Sequence, residues 1–258
     1  MRTPRAPAAR SAVLRRPPVD LEIVIPALNE EGRIEATVAA LSEHLVSSRW
    51  ECTLVVVDNG SVDATIEVGD LADSRVPVET IGCSRPGKGA AVRRGVMTSR
   101  ARWVGFCDAD LATPPSTIDK AIALLEAGSR IVIASRRCAG GQYLVPQPLV
   151  RQVGGWLFRV LARDLTGPIA DTQCGFKFFD GNVARQLFAS SSIDGFAFDL
   201  EILALARTRG IEIVEVPVDW SDQSGSTLRL RDGVRALREV GRIRQSLSQT
   251  QAGEDVIR

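Results

Sequence analysis

Short apolar segments alternate with amphipathic segments of helix length through the first half of this chain, and this alternation limits the folds open to it. Apolar periodicity predicts strands at 21–26, 52–57, 76–81, 103–107 and 131–134, with helices between them at 31–45, 63–72, 89–99 and 116–127. Parallel strands need a connection of helix length, so this order predicts an α/β fold with a mostly parallel central sheet and helices on both faces. Beyond residue 135 the pattern is less regular, and we expect helices at 148–165, 199–209 and 228–246 and strands at 176–179 and 211–218.

The two ends of the chain do not continue this pattern. Residues 1–18 hold five arginines, four prolines and no acidic residue, a composition typical of a disordered basic arm. We therefore expect a single domain over 19–246, which includes a basic amphipathic C-terminal helix, and a flexible tail over 247–258. No transmembrane segment is expected, because no apolar run reaches the roughly 18–20 residues that a membrane-spanning helix needs.

Composition argues against several classes of function. The net charge of +1 gives no general excess of positive charge for binding nucleic acid. The five cysteines are odd in number and never stand in C-x-x-C spacing, which favours a reducing, cytoplasmic setting over a disulfide framework or a zinc site. The single histidine, His44, falls on a predicted amphipathic helix, so catalysis by a serine–histidine or cysteine–histidine pair is not expected.

The predicted strand at 103–107 ends in a pair of carboxylates, Asp108 and Asp110. In extended backbone, side chains at i and i+2 leave on the same side, so both can reach one cation. Mg²⁺ and Mn²⁺ prefer oxygen ligands, and ligands of open α/β sheets bind at the carboxyl ends of strands. The alternative is a pair of solvated acids that begin a turn ahead of Pro114 and Pro115.

Polar residues also follow the first two strands, at 26–31 and at 58–61. Ordinary turn chemistry explains either segment alone, but together with Asp108 and Asp110 they would line one edge of one sheet. Lys88 precedes the predicted helix 89–99, where a cation and a helix N-terminus together favour an anion. The segment 82–88 fits G-x-x-x-x-G-K, but Gly89 follows it in place of the Ser or Thr that a P-loop needs.

Several motifs occur in a fixed order along the chain. They are Pro-Ala-Leu-Asn-Glu-Glu (26–31), Val-Val-Val-Asp-Asn-Gly-Ser-Val-Asp-Ala-Thr (55–65), Arg-Pro-Gly-Lys-Gly (85–89), Cys-Asp-Ala-Asp-Leu-Ala-Thr-Pro-Pro (107–115), Asp-Thr-Gln-Cys-Gly-Phe-Lys (171–177) and Val-Pro-Val-Asp-Trp (216–220). In this order the chain resembles the family 2 inverting glycosyltransferases of the GT-A fold. It is most similar to the branch that makes dolichyl- or polyprenyl-phosphate sugars. The resemblance extends from residue 21 to about residue 230.

The resemblance implies roles for individual residues. The residues implied in donor binding are Pro26, Leu28, Asn29, Glu30, Asp58, Asn59, Lys88, Asp108 and Ala109. Asp108 and Asp110 would bind Mg²⁺ or Mn²⁺ at the diphosphate. The residues implied in catalysis are Asp110, Asp171, Gln173, Arg136 and Arg151, with the two arginines on phosphate groups. For Lys177, a structural salt bridge and a substrate contact stay open.

The resemblance also implies the substrates. The form of the 171–177 motif resembles the members that use UDP-glucose, and GDP-mannose is the next candidate. Asn59 stands where the family usually has a second acid, so the preference for the base can differ. A polyprenyl phosphate acceptor would be reached from the cytoplasmic side, by a protein bound peripherally at the inner face of the membrane.

The acceptor decides whether the reaction needs a general base. A phosphate monoester has a second pKa near about 6 and is already a nucleophile at neutral pH, whereas a sugar hydroxyl would need a base such as Asp171, Asp199 or Glu201. The basic helices 148–165 and 228–246 favour a lipid acceptor, although their apolar stripes could instead pack on the core or, for the C-terminal helix, on a second subunit. Two alternatives stay open. The protein is a transferase that uses a soluble acceptor, or it binds nucleotide sugars without catalysing a reaction.

Overall fold

The computed structural model describes residues 18–143, 160, 162–220, 235 and 238–248. Its strands are β1 (Leu21–Ala27), β2 (Cys52–Asp58), β3 (Val78–Gly82), β4 (Trp103–Cys107), β5 (Ile131–Ser135), β6 (Gln142–Tyr143), β7 (Phe176–Asp180), β8 (Ile213–Pro217) and β9 (Asp219–Trp220). The helices are α1 (Ile34–Leu45), α2 (Thr65–Leu71), α3 (Lys88–Thr98), α4 (Thr117–Glu126), α5 (Gly181–Ser190) and α6 (Phe198–Thr208). Residues 162–166 and 238–248 are also helical, and the rest of the two predicted basic helices, Val160 and Arg235 apart, lies outside the described residues.

Seven strands form one sheet in the order β3-β2-β1-β4-β7-β5-β8. Every pair is parallel except those of β7, which is antiparallel to both β4 and β5. The prediction of a mostly parallel sheet is confirmed, while the direction of β7 had no signal in the sequence. The short strands β6 and β9 form a separate parallel pair.

The chain changes direction across the sheet at β1. Strands β2 and β3 lie on one side of β1, and β4 lies on the other side. Ala27 at the end of β1 pairs with Asp58 at the end of β2, so the segments that follow these two strands and β4 leave from the same edge. This change of direction is where open α/β sheets bind their ligands.

The sheet is covered on both faces, as predicted from the alternation of strands and helices. Along β1, Val24 belongs to the core beneath α3, α5 and α6, whereas Ile23 and Ile25 belong to the core beneath α1 and α4. This alternation follows from the two-residue period of a strand. No helix of the described ranges is long and apolar enough to cross a bilayer.

One helix of the second half was not predicted from the sequence. This is helix α5, although Asp180 caps it by accepting hydrogen bonds from the backbone N–H groups of Asn182 and Val183. Of the predicted tail over 247–258, the structure describes only residues 247 and 248, which are helical, and Leu247 is buried in the core. The flexible tail itself stays a prediction.

Candidate active site

The turn after β4 places two carboxylates beside a lysine at the edge where the sheet changes direction. Lys88 Nζ lies 2.5 Å from Asp108 Oδ1, and the Asp108 N–H donates to Gly175 O at 3.0 Å. A Cβ atom at Gly175 would overlap the Asp108 carboxylate, so only glycine allows the two segments to come so close. The Thr37 hydroxyl donates to Ala109 O at 2.7 Å and fixes the turn from the side of α1.

The turn after β4 lies in a region with an excess of negative charge. Burial and the neighbouring Asp108 carboxylate raise the pKa of Asp110. Burial raises the pKa of Glu30 as well, although Arg33 opposes this, and the charges of Asp110 and Asp108 add to the rise. A cation placed here would relieve the repulsion among these acids.

The donor set of the turn fits a hard divalent cation. Among the described residues no group of three or more acidic, histidine or cysteine side chains is arranged to hold a metal ion. Asp108 and Asp110 would therefore leave the rest of the coordination shell to oxygen atoms of a substrate, as is usual for Mg²⁺. Burial opposes the charge on Lys88, but Asp108 and Asp199 outweigh it and raise the pKa of the lysine, which keeps it a cation.

Hydrogen bonds join the loops after β1 and β2 into one wall. The Asn29 N–H donates to Ser61 Oγ, and Asn29 Oδ1 accepts from the Val62 N–H, both at 2.9 Å. Asn29 has a φ of +56°, a conformation that asparagine tolerates better than most residues. Leu28 projects from this wall with 47% of its surface exposed, and Pro26 lies half-buried near the end of β1.

Asp58 and Asn59 act on the backbone of neighbouring loops. Asp58 is buried and accepts from the N–H groups of Gly60 and Ser61, which closes the turn after β2. The Asn59 amide donates to Arg85 O and accepts from the Gly87 N–H, both at 2.6 Å. Asn59 therefore shapes the loop that leads into Lys88, and a contact with a nucleotide base stays a prediction.

Arg136 and Asp171 form a largely buried, bidentate salt bridge. Arg136 donates through Nε at 2.6 Å and through Nη2 at 2.8 Å to the two oxygens of Asp171. Burial alone would raise the pKa of Asp171, but the hydrogen bonds and the charge of Arg136 outweigh it and hold that pKa below its ordinary value. Asp171 is thus a weak base, and its geometry suits holding Arg136 in position.

Two residues that were not predicted complete the surroundings of this pair. Glu215 accepts from the N–H groups of Ala170 and Asp171, and Trp220 lies under the Arg136 guanidinium with 5.2 Å to its ring centre. Trp220 also lines a small cleft with Asp108 and Asp110. The Val-Pro-Val-Asp-Trp motif carried a signal for Trp220, whereas an acid in the middle of a strand carried none for Glu215.

Lys177 and Glu201 lie behind the site. Lys177 is fully buried on β7 and donates to Asp199 Oδ1 and Cys174 O, both at 2.6 Å. Of the two alternatives left open for Lys177, the structure supports the salt bridge. Glu201 accepts from the backbone N–H groups of Ser192 and Ile193, so neither Asp199 nor Glu201 is free to act as a base.

The structure thus brings most of the predicted residues to one edge of the sheet. The wall formed by the loops after β1 and β2, the turn after β4 and Lys88 form one group. The segment 171–175 links this group to the Arg136–Asp171 pair, because Gly175 contacts Asp108 at its far end. Arg151, predicted to bind phosphate, lies outside the described residues.

The comparison with protein families shows to which family the chain belongs. The sequence model of "Glycosyl transferase family 2" matches residues 22–188, a range that contains both carboxylates and the 171–177 motif. The chain belongs to this family. It is a glycosyltransferase, and the resemblance seen in the sequence is confirmed.

Curated relatives are similar to the chain over most of its length. A dolichyl-phosphate beta-glucosyltransferase of Dictyostelium discoideum is 29% identical over 253 residues, which cover 91% of this chain and 77% of that protein. Its counterpart in Drosophila melanogaster is 32% identical over 234 residues, covering 82% and 70%. That of Saccharomyces cerevisiae is 31% identical over 252 residues, covering 88% and 74%.

Solved structures of a glucosyl-3-phosphoglycerate synthase share the fold. Glucosyl-3-phosphoglycerate synthase from Mycobacterium tuberculosis, solved with UDP, superposes with a TM-score of 0.66 at 23% identity, covering 89% of this chain and 79% of that one. A second structure of the same enzyme, with Mn²⁺, UDP-glucose and phosphoglyceric acid, also gives 0.66 at 21% identity, covering 87% and 78%. The predicted GT-A fold is confirmed.

Proposed function

We propose that this glycosyltransferase moves glucose from UDP-glucose to the phosphate of a polyprenyl or dolichyl phosphate. The observation that carries the proposal is that an acidic turn and a buried arginine lie at the two ends of the segment 171–175. The Asp108–Asp110 turn suits a metal-bound diphosphate, and Arg136, at the other end of the segment 171–175, suits a phosphate acceptor. The three curated relatives described above, each a dolichyl-phosphate beta-glucosyltransferase, support the same substrates.

The reaction is a single displacement at the sugar. A phosphate oxygen of the acceptor forms a bond to C1 of glucose, while the bond from C1 to the β-phosphate oxygen of UDP breaks. UDP leaves with the electron pair of that bond, and the configuration at C1 is inverted. No proton has to be removed, because a phosphate monoester with a second pKa near about 6 is mostly a dianion at neutral pH. The lowered pKa of Asp171 agrees with a reaction that needs no general base.

The residues of the site would bind and neutralise the phosphate groups. Asp108 and Asp110 would hold Mg²⁺ or Mn²⁺, which when bound neutralises charge on the departing diphosphate. Lys88, at the first residue of α3, adds a positive charge and a helix N-terminus to the same place. Arg136, held by Asp171 and Trp220, would contact the acceptor phosphate, with Arg151 as its predicted companion.

The wall formed by the loops after β1 and β2 would hold the nucleoside. Pro26, Leu28, Asn29, Glu30 and Asp58 border it, and Asn59 shapes its far side through Arg85 and Gly87. UDP-glucose is the favoured donor, with GDP-mannose next. A lipid acceptor places the enzyme at the cytoplasmic surface of a membrane, where the exposed Arg238 and Arg242 of the C-terminal helix would face anionic lipid.

Release of the nucleoside diphosphate tests this proposal. Purified protein with Mn²⁺ is given UDP-glucose or GDP-mannose, each alone, with a short polyprenyl phosphate, or with phosphoglyceric acid. We expect release only with UDP-glucose and the polyprenyl phosphate. Release that depends on phosphoglyceric acid instead would establish a soluble acceptor. Donor binding without release in any mixture would establish a non-catalytic binder.

An aspartate variant shows whether the release comes from this site. Asp110→Asn should lower turnover by about 100-fold or more, since it removes a charge that the metal requires. Asp70→Asn, an exposed aspartate on α2, is the matched control and should leave turnover unchanged. Equal turnover in both variants would contradict the assignment of the metal site.

A further inference from the structure

Glu239 is a buried acid on the C-terminal helix 238–248, and its carboxylate ties that helix to the turn before α6. Its side chain is 6% exposed, and one of its oxygens accepts from the Ala197 N–H at 3.2 Å. We infer that Glu239 is a positioning residue for Lys88, because the start of α3 packs on the turn that Glu239 holds. The inference rests on the proposed function, in which Lys88 faces the departing diphosphate.

The contact between Glu239 and this turn is close. A Cβ atom at Gly195 would overlap the Glu239 carboxylate, so the approach requires a glycine at that position. Ala197 directly precedes α6, and the N-terminus of a helix favours a negative charge. Arg235, one turn earlier on the C-terminal helix, donates to the second carboxylate oxygen at 3.2 Å. The carboxylate thus has one partner on the turn and one on its own helix.

The first turn of α3 packs on the same segment of the chain. The Ala90 N–H donates to Asp194 O at 3.2 Å. A Cβ atom at Gly89 would overlap Ile193 O, so the two backbones are in direct contact. Residues on both sides of this contact are close to Lys88, which is the first residue of α3.

Arg93 extends this contact by one further turn of α3. It donates to Asp194 Oδ1 at 2.7 Å and to Ile193 O at 2.9 Å. From the start of the helix, Lys88 Nζ reaches Asp108 Oδ1 at 2.5 Å. A shift of the turn before α6 would therefore move the start of α3 and displace the ammonium group from the diphosphate.

The helix that carries Glu239 has a buried face and an exposed basic face. Val240, Ile243 and Leu247 are buried with Glu239, whereas Arg238 and Arg242 are exposed. These two arginines are the ones proposed to face anionic lipid. Glu239 therefore connects the helix proposed to lie on the membrane with the lysine proposed for the donor diphosphate.

A double-mutant cycle in kcat tests whether Glu239 acts through Lys88. Wild type, Glu239→Ala, Lys88→Met and the double variant are each given Mn²⁺, UDP-glucose and a short polyprenyl phosphate. Glu239→Ala should lower kcat by about 10- to 100-fold, the effect of a group displaced by about 1 Å, and should change KM for UDP-glucose less. In the Lys88→Met background it should lower kcat by less than about 3-fold, because the group that it positions is already absent. Single losses that multiply in the double variant would overturn the inference.

Three further variants separate positioning from a general loss of stability. Glu239→Gln keeps an oxygen that can accept from the Ala197 N–H, so it should recover most of the kcat lost in Glu239→Ala; no recovery would contradict the role of this hydrogen bond. Gly195→Ala disturbs the same contact from the other side and should lower kcat in the same way, also where Glu239→Ala does not fold. Glu43→Gln is the control and should leave kcat unchanged, because the pair of Glu43 with Arg75 is exposed.

Hydrogen exchange gives a reading that does not depend on the substrates. In Glu239→Ala the backbone amides of residues 88–91 and 195–197 should exchange faster than in wild type, while those of α4 should not change. Unchanged exchange at 88–91, or an equal rise in α4, would overturn the inference. If the wild type shows no lipid-dependent release, the proposed function fails, and exchange at 88–91 still decides whether Glu239 holds the start of α3.

Discussion

Lys177 Nζ lies 2.6 Å from Asp199 Oδ1, and both side chains are buried between β7 and α6. Lys177 also lies over the ring of Phe106, with 5.4 Å from Nζ to the ring centre. The charge of Asp199 also helps to raise the pKa of Lys88, so the buried pair acts electrostatically on the lysine of the site.

Replacing Lys177 alone should destabilise the protein strongly. Lys177→Met leaves the Asp199 carboxylate buried without its partner, and breaking such a pair costs about 3–5 kcal/mol of the free energy of unfolding. Denaturant unfolding measures this loss. Lys120→Met, an exposed lysine on α4, is the control and should change stability little. A loss below about 1 kcal/mol for Lys177→Met, the value of an exposed pair, would mean that the pair is not buried in solution.

Lys88 should matter more for turnover than for folding. Lys88→Met removes the positive charge that faces the diphosphate, and loss of one such group lowers kcat by about 10²–10³-fold in enzymes that stabilise developing charge. Turnover and the affinity for UDP are measured separately, and the affinity should change less. Arg94→Met, an exposed cation on the same helix, should leave both unchanged. If kcat of Lys88→Met equals that of wild type, the lysine serves only to balance Asp108.

The sequence predicted the parts of the fold that depend on local periodicity. The strands β1 to β5 and the helices between them follow from apolar spacing, and the turn with Asp108 and Asp110 follows from a strand that ends in two acids. What it could not predict depends on contacts between distant residues. Strand β7 has the composition of a buried strand, but its direction is set by pairing with β4 and β5.

The same limit applies to the candidate site. Arg136 and Asp171 were both predicted, but their pairing joins residues 35 positions apart and has no local signal. The sequence alone predicts each of them as a separate residue of the site. Asn59 was predicted to affect the preference for the nucleotide base. In the structure, its amide binds the backbone of a loop 26 to 28 residues further along the chain. Side-chain partners of this kind follow only from the folded arrangement of the loops.

Asn59 should control the loop before α3. Asn59→Asp places a carboxylate oxygen against Arg85 O, where the amide now donates, and should cost about 1–3 kcal/mol of stability. Thermal unfolding measures this cost. The same variant is titrated with UDP and with GDP. A weaker affinity for both nucleotides by the same factor supports the role in the loop, whereas a change in the ratio of the two affinities would show a contact with the base.

The Arg136–Asp171 pair should make stability depend on pH in acid. The pKa of Asp171 is held below its ordinary value of 3.8, so the unfolded chain binds this proton more readily than the folded one. The ionised Asp171 therefore makes its full contribution to the free energy of unfolding above about pH 4. This contribution is lost as the pH falls through the lowered pKa. Asp171→Asn should therefore reduce the free energy of unfolding by about 1.5–3 kcal/mol at neutral pH, and its difference from wild type should shrink in acid.

An exposed pair of the same chemistry provides the control for this pH dependence. Asp164 pairs with Arg244 at 3.1 Å, but its side chain is 59% exposed, whereas that of Asp171 is 3% exposed. Because solvent screens an exposed pair, Asp164→Asn should change stability little at any pH. Unfolding of wild type and both variants from about pH 7 to about pH 3 compares the two pairs. A difference in the free energy of unfolding between wild type and Asp171→Asn that stays constant over this range would contradict the prediction. It would show that Asp171 keeps an ordinary pKa and that Arg136 is held by other contacts.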